Sequence, residues 1–150
     1  MLEAIRLSRI YMMKGHGGPF GAVIVKNGKI IGRGWNKVTS TNDPTAHAEV
    51  TAIREACKKL KSFELSGAII YTSCEPCPMC LAAIYWAGIK KIYFANTRKD
   101  AAHIQFDDDF LYREISKPLV KRQIPAKQIL RNKALSVFEL WRSKIDKIEY

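Results

Sequence analysis

Two apolar runs open the readable pattern of this chain. Gly21-Ala22-Val23-Ile24-Val25-Lys26 reads as a strand, and Lys29 to Trp35 returns as a second. Between them lies Asn27-Gly28, a pair that tolerates positive φ at both positions and so predicts a tight hairpin. Asp43-Pro44-Thr45 opens a helix, with Val50, Ile53, Cys57 and Leu60 on one stripe. Ala68 to Thr72 is a short buried strand. Pro76 and Pro78 suit the first turn of a second helix running to about Ala87, which Gly88 stops. Lys91 to Ala95 is a further strand. Helices are predicted over Asp107 to Ile115 and over Leu135 to about Lys147. At the start, Met1 to Lys14 reads as an amphipathic helix with Leu2, Ile5 and Met12 inward. Strands alternating with helices imply a layered α/β fold with at least one parallel pairing, and the hairpin makes the sheet mixed.

Composition narrows the class. The length of 150 residues fits a single domain, residues 1–150, with a sizeable core. Its 47% apolar and 26% charged residues are ordinary for a soluble globular protein. No apolar run approaches the ~20 residues of a membrane span. Glu3, Arg6 and Arg9 break any signal-peptide core, though arginine and serine are also residues of organelle transit peptides. Four cysteines here argue against a disulfide framework and for a reducing compartment, most simply the cytosol. The formal charge of +11 invites a nucleic-acid partner. It divides as +5 over residues 1–88 and +6 over 89–150, with no block of five or six basic residues. Solvated surface is therefore preferred over a nucleic-acid face.

The chemistry concentrates in two short segments, His47-Ala48-Glu49 and Pro76-Cys77-Pro78-Met79-Cys80. Residues three apart share a helix face. With Pro78 as the first helical residue, Cys77 is the N-cap and both sulfurs lie in the first turn. The positive end of the helix dipole favours thiolates there. His47 lies three before Val50, so the stripe turns it inward. One histidine and two cysteines hold a zinc and leave its fourth position for water, the plan of a catalytic site. Glu49 is then the candidate proton carrier. A two-residue offset means about 200° of rotation on a regular helix. His47 and Glu49 therefore meet only if the first turn is irregular or the glutamate bends back; both remain open. Cys57 continues the apolar stripe as core. Cys74 ends a strand beside the site, but a fourth protein ligand would exclude the water. A CxxC alone is often redox or structural zinc, and a lone histidine is usually core; their conjunction with Glu49 points to catalysis.

The pattern H-x-E…P-C-x-x-C is the signature of the zinc deaminases of nucleobases. On these residues the chain resembles the cytidine deaminase superfamily and, within it, the bacterial guanine deaminases. The likeness is carried by Gly17-Gly18-Pro19-Phe20-Gly21-Ala22-Val23-Ile24-Val25, by Asn42 to Arg54 and by Tyr71 to Cys80. Gln105-Phe106-Asp107-Asp108-Asp109-Phe110 resembles the Phe-Asp-Asp-x-Phe of guanine deaminases, and the terminal Glu149-Tyr150 is similar to theirs. The resemblance implies a three-layer α/β/α fold, with a mixed five-stranded sheet and helices on both faces. It implies one zinc held by His47, Cys77 and Cys80, with Glu49 as base and then acid. It also implies a homodimer whose C-terminal segment, about 134–150, crosses to the partner's site. Its substrate would be a small purine base, guanine, converted to xanthine and ammonia. Asn36, with both donor and acceptor, would face the base edge, Phe20 its ring, and Asp108 or Asp107 its N–H groups; Tyr150 would close the site. Trp35, Tyr85 and Trp86 are read as packing. The rivals are a tRNA adenosine deaminase, a cytosine deaminase and a structural-zinc interaction domain. The first of these usually carries a Gly-Ala-x-Gly-Ser-like segment, from which Thr97 to Gln105 departs.

Overall fold

The structure is a computed structural model, and it describes residues 1–149. The chain forms two compact units, Met1–Phe110 and the segment from Leu111 onward. The first contains α1 (Leu2–Met13), β1 (Gly21–Lys26), β2 (Lys29–Trp35), α2 (Val38–Thr41), α3 (Ala48–Leu60), β3 (Ile69–Cys74), α4 (Pro78–Trp86), β4 (Lys91–Asn96) and α5 (Arg98–His103). Helix α6 (Asp109–Ser116) begins where this unit ends. The second unit contains a 3-10 turn (Leu119–Lys121) and α7 (Arg131–Ser143).

Strand order is β2-β1-β3-β4. The pairings of β1 with β2 and with β3 are antiparallel, and β3 with β4 is parallel. The sheet is mixed as expected, but among the described residues it has four strands, not five. The hairpin turns through Asn27 (φ 51) and Gly28 (φ 73), the positive-φ pair its sequence predicts. A bulge at Ile24/Val25 leaves Ile31 of β2 without a counterpart.

Alternate strand residues face opposite layers. Val23 and Tyr71 pack with Ala4 and Leu7 of α1. Ala22, Ile24 and Ile70 face Ala48, Ala52 and Ala56 of α3 and Ile84 of α4. Helices thus cover both faces of the sheet. The inward residues of α1 are Ala4 and Leu7; Leu2, Ile5 and Met12 are exposed, against the periodicity reading. The stripe of α3 is corrected too. Its fully buried residues are Ala48, Ala52 and Ala56, while Val50, Ile53 and Cys57 are only half-buried and Leu60 is exposed. The cause lies across the interface. A Cβ at Gly34 would stand 2.0 Å from the Ala48 carbonyl oxygen, and one at Gly32 would stand 2.4 Å from that of Ala52. Two strand glycines and three helix alanines let the backbones approach closely, and larger side chains are turned to the rim. Periodicity ranks residues by hydrophobicity and so misses a seam made of small ones.

Candidate metal and catalytic site

Helices α3 and α4 both begin at the site. His47 is the N-cap of α3 (φ −66, ψ 160) and Cys77 is the N-cap of α4 (φ −66, ψ 168), with Pro78 at the first helical position. An N-cap side chain ordinarily accepts from the first free N–H groups of its helix. Neither residue does so here; both turn instead to a shared point. His47 Nδ1 lies 3.6 Å from Cys77 Sγ and 3.6 Å from Cys80 Sγ. A tetrahedral zinc with Zn–N about 2.0 Å and Zn–S about 2.3 Å separates such atoms by about 3.5 Å. The donor set and its spacing therefore fit one zinc ion, and all three ligand atoms lie within 4.8 Å of one another. Cys74 stays outside the cluster, with its thiol donating to the Thr97 carbonyl at 3.5 Å.

The offset between His47 and Glu49 is resolved by the cap. His47 has extended backbone and Glu49 lies in the first turn, so the regular 200° rotation does not apply. Glu49 is 5% exposed. Its Oε1 accepts from Thr72 Oγ1 at 2.8 Å, and its Oε2 accepts from Cys80 Sγ at 3.3 Å. Burial pushes its carboxyl above the ordinary value, against the pull of these hydrogen bonds. The hydrogen bond from Cys80 holds the Cys77 thiol far below its usual range, helped by His47, while sharing that proton and burial push Cys80 up. His47 is raised, first by its hydrogen bond with Cys77 and then by the charges of Cys77, Glu49 and Asp108. Sequence reasoning assigns Thr72 no role. A signal is nonetheless present: its hydroxyl shares a strand face with Ile70, and a buried hydroxyl needs a partner.

Asn36 is 5% exposed, and its Oδ1 accepts from the N–H groups of Gly18 (3.3 Å) and Val38 (3.2 Å). Both partners are donors, which assigns the oxygen and leaves the amide NH2 as the group able to act elsewhere. The acceptor half of Asn36 is thus committed to its own loop. Phe20 packs partly on the core and stands edge-on to Phe106, with centroids 4.9 Å apart at 87°. Asp107 and Asp108 differ clearly. Asp107 Oδ1 accepts the N–H of Asp109 and starts α6, which begins at Asp109 rather than at Asp107. Asp108 Oδ1 is buried with no hydrogen-bond partner. Burial raises its carboxyl, and the negative charge of Cys77 raises it further, so it shares the field of the metal cluster. Tyr150 lies outside the described residues.

Such a cluster, held at two helix N-termini beside a buried glutamate, is a zinc site with a carboxylate at hand for proton transfer. Residues 1–96 match the family described as "Cytidine and deoxycytidylate deaminase zinc-binding region", and the chain belongs to that family. It is 58% identical over 148 residues to guanine deaminase of Bacillus subtilis (strain 168), covering 99% of this chain and 95% of that protein. The X-ray structure of guanine deaminase from Bacillus subtilis superposes with a TM-score of 0.96 at 54% identity, covering 99% and 95%. A tRNA-specific adenosine deaminase of Buchnera aphidicola is more distant, at 39% identity over 120 residues, covering 79% of this chain and 76% of that protein.

Proposed function

We propose that this chain hydrolyses guanine to xanthine and ammonia with one zinc ion. The observation that carries the reading is the full-length likeness to a guanine deaminase, joined to a metal-spaced triad beside a buried carboxylate. Zinc, when held by His47, Cys77 and Cys80, supplies a Lewis acid that brings the pKa of a water towards neutrality. The protein's residues then handle position and protons. Thr72 fixes Glu49 through Oε1, leaving Oε2 as the proton-carrying atom. With Cys80 deprotonated as a metal ligand, its thiol would no longer donate to Oε2, and that oxygen would be free to carry a proton. Glu49 takes a proton from the attacking water and passes it to a ring nitrogen while hydroxide adds at C2. It then takes the proton of the new C2 hydroxyl and delivers it to the amine as the C2–N bond breaks, which leaves ammonia and the C2 carbonyl of xanthine. A carboxyl raised by burial suits both halves of this exchange.

Substrate reading is assigned to the Asn36 NH2 as donor and Asp108 as acceptor of guanine N–H groups. Phe20 lies against the ring and Tyr150 closes the site. Homodimerisation with exchange of segment 134–150 belongs to the same proposal. It is supported by the apolar residues α7 exposes, Phe138 at 70% and Leu140 at 69%. The setting proposed is the cytosol, where Cys77 and Cys80 stay reduced. Among the described residues no helix is long and apolar enough to cross a membrane.

The test is ammonia release by zinc-loaded protein from guanine, adenine, cytosine, related triazines and an anticodon stem-loop RNA. Guanine is the expected substrate. Turnover of the RNA alone would instead establish the tRNA reading, which the 39% identical relative supports. Tight zinc with no turnover of any substrate would establish a structural metal.

A further inference from the structure

The loop that holds Asn36 and the segment that carries Asp108 meet at Gly18. The Gly18 N–H donates to Asn36 Oδ1. On its other side, a Cβ built at this position would lie 2.8 Å from Phe106 Cζ, and 3.1 Å from both Phe106 Cε1 and Phe20 Cε2. Carbon atoms rest at about 3.5–4.0 Å, so any side chain here would push the Phe106 ring from its seat. Backbone conformation does not explain the glycine. Positive φ occurs at Gly15, Gly28, Gly67 and Gly88, and Gly18 is not among them. Gly17 is different in kind: its Cβ would lie 2.2 Å from Asn36 Oδ1 and 2.7 Å from the Asn36 carbonyl oxygen, a collision with Asn36 itself.

The Phe106 side is a short lever. Gln105 takes a left-handed turn (φ 69), and the Phe106 N–H is tied to the Ala101 carbonyl at 3.0 Å. Asp107 accepts the Asp109 N–H at 3.0 Å. Asp108 lies between these two ties, with one carboxylate oxygen buried and unpartnered. Phe106 and Asp108 thus lie two residues apart on a short stretch tied at both ends. Phe106 is 44% exposed, so its ring can yield without breaking the fold.

We propose that Gly18 and Phe106 form a positioning pair that sets the separation between Asn36 and Asp108, and thereby the fit for the purine. The absent side chain at position 18 is the seat of the ring, and the ring sets how far the Asp107-Asp108 turn enters. The proposal rests on the reading of Asp108 as a substrate-binding group.

Three variants with steady-state kinetics on guanine test it. Gly18→Ala is expected to raise KM about three- to tenfold with kcat within about twofold, the pattern of a lost binding contact and not of lost chemistry. Phe106→Leu, which lacks the Cζ atom that collides, is expected to restore KM when added to Gly18→Ala. In an Asp108→Asn background Gly18→Ala is expected to add nothing. An unchanged KM, a failure of Phe106→Leu to rescue, or an equal penalty in the Asp108→Asn background would each overturn the pair. Wild-type protein that releases no ammonia from guanine would overturn the substrate reading instead. Thermal unfolding then still decides the contact: the Tm loss caused by Gly18→Ala must vanish with Phe106→Leu present, and equal losses in both backgrounds refute it.

Discussion

Residues 1–110 and the segment after them solve the burial problem in opposite ways. In the first unit a four-stranded sheet buries apolar residues on both faces, and Ala22, Ile24, Ile70 and Ala48 are fully inaccessible. Beyond Phe110 no described residue is buried. There the helices carry apolar side chains in the open, such as Val137 at 60% and Phe138 at 70% exposure. Their ion pairs are short-range, such as the exposed Arg142–Glu139 pair at 2.8 Å. Exposed pairs of this kind contribute about 0–1 kcal/mol each. The contrast teaches that the core and the metal chemistry are self-contained in the first unit. The apolar side chains that α7 exposes are those the proposed exchange between subunits would bury.

Four measurements can break or sharpen that contrast. The largest effect is expected from Glu49→Gln, which removes the proposed proton carrier inside the first unit. Turnover should fall by about 10²–10⁴ with zinc content and fold retained, and a variant keeping more than about a tenth of activity would refute the role. Next is Gly34→Ala. The added Cβ meets backbone of α3 at 2.0 Å, so the helix must shift. Thermal or urea unfolding should show a loss of about 1–3 kcal/mol or more; an unchanged midpoint would show that the Gly–Ala seam is not tight.

The third concerns the other unit. Phe138→Ala with Trp141→Ala should change intrinsic unfolding by no more than about 0.5 kcal/mol per site, as exposed positions do. On the proposed exchange between subunits it should, however, move a dimer–monomer transition in sedimentation to higher protein concentration. A large loss of stability at fixed oligomeric state would instead give α7 an intramolecular role. The smallest effect is acidic. Arg6, and after it Arg33, hold the Glu3 carboxyl down at about 2 by hydrogen bonds, below its ordinary 4.5. A depressed carboxylate stabilises the fold above about pH 4.5 and loses that contribution as pH falls towards 2. Glu3→Gln should flatten this part of the stability profile slightly, because the guanidinium partners are solvent-screened.

Much of the site is legible in the amino-acid sequence because its determinants are local. Cys77-Pro78-Met79-Cys80 encodes its own helix cap and sulfur spacing, and Asn27-Gly28 encodes its own turn. Asp108 is singled out by a short motif. Its difference from Asp107 is not local, since it depends on which carboxylate meets its own helix N-terminus and which is buried unpaired. Thr72 escapes a sequence reading because its partner is 23 residues away along the chain. The fifth strand is an expectation of the resemblance and not of the hydrophobic pattern, which itself contains four strands.

What the sequence determined alone is the chemistry: three ligands of the type zinc takes, a carboxylate beside them, and helix starts where thiolates are favoured. Those features depend on residue type and spacing within one turn. Tertiary structure decided how they act together. It made His47 a cap, so that Glu49 could face the same point. It spent the oxygen of Asn36 on its own loop and left the amide NH2 for another partner. It also drew α3 against β2 through Gly32, Gly34 and the three alanines, a contact between residues too small to announce themselves by hydrophobicity. These outcomes depend on pairs far apart in the chain, whose approach is set by packing and by the need to satisfy every buried polar group.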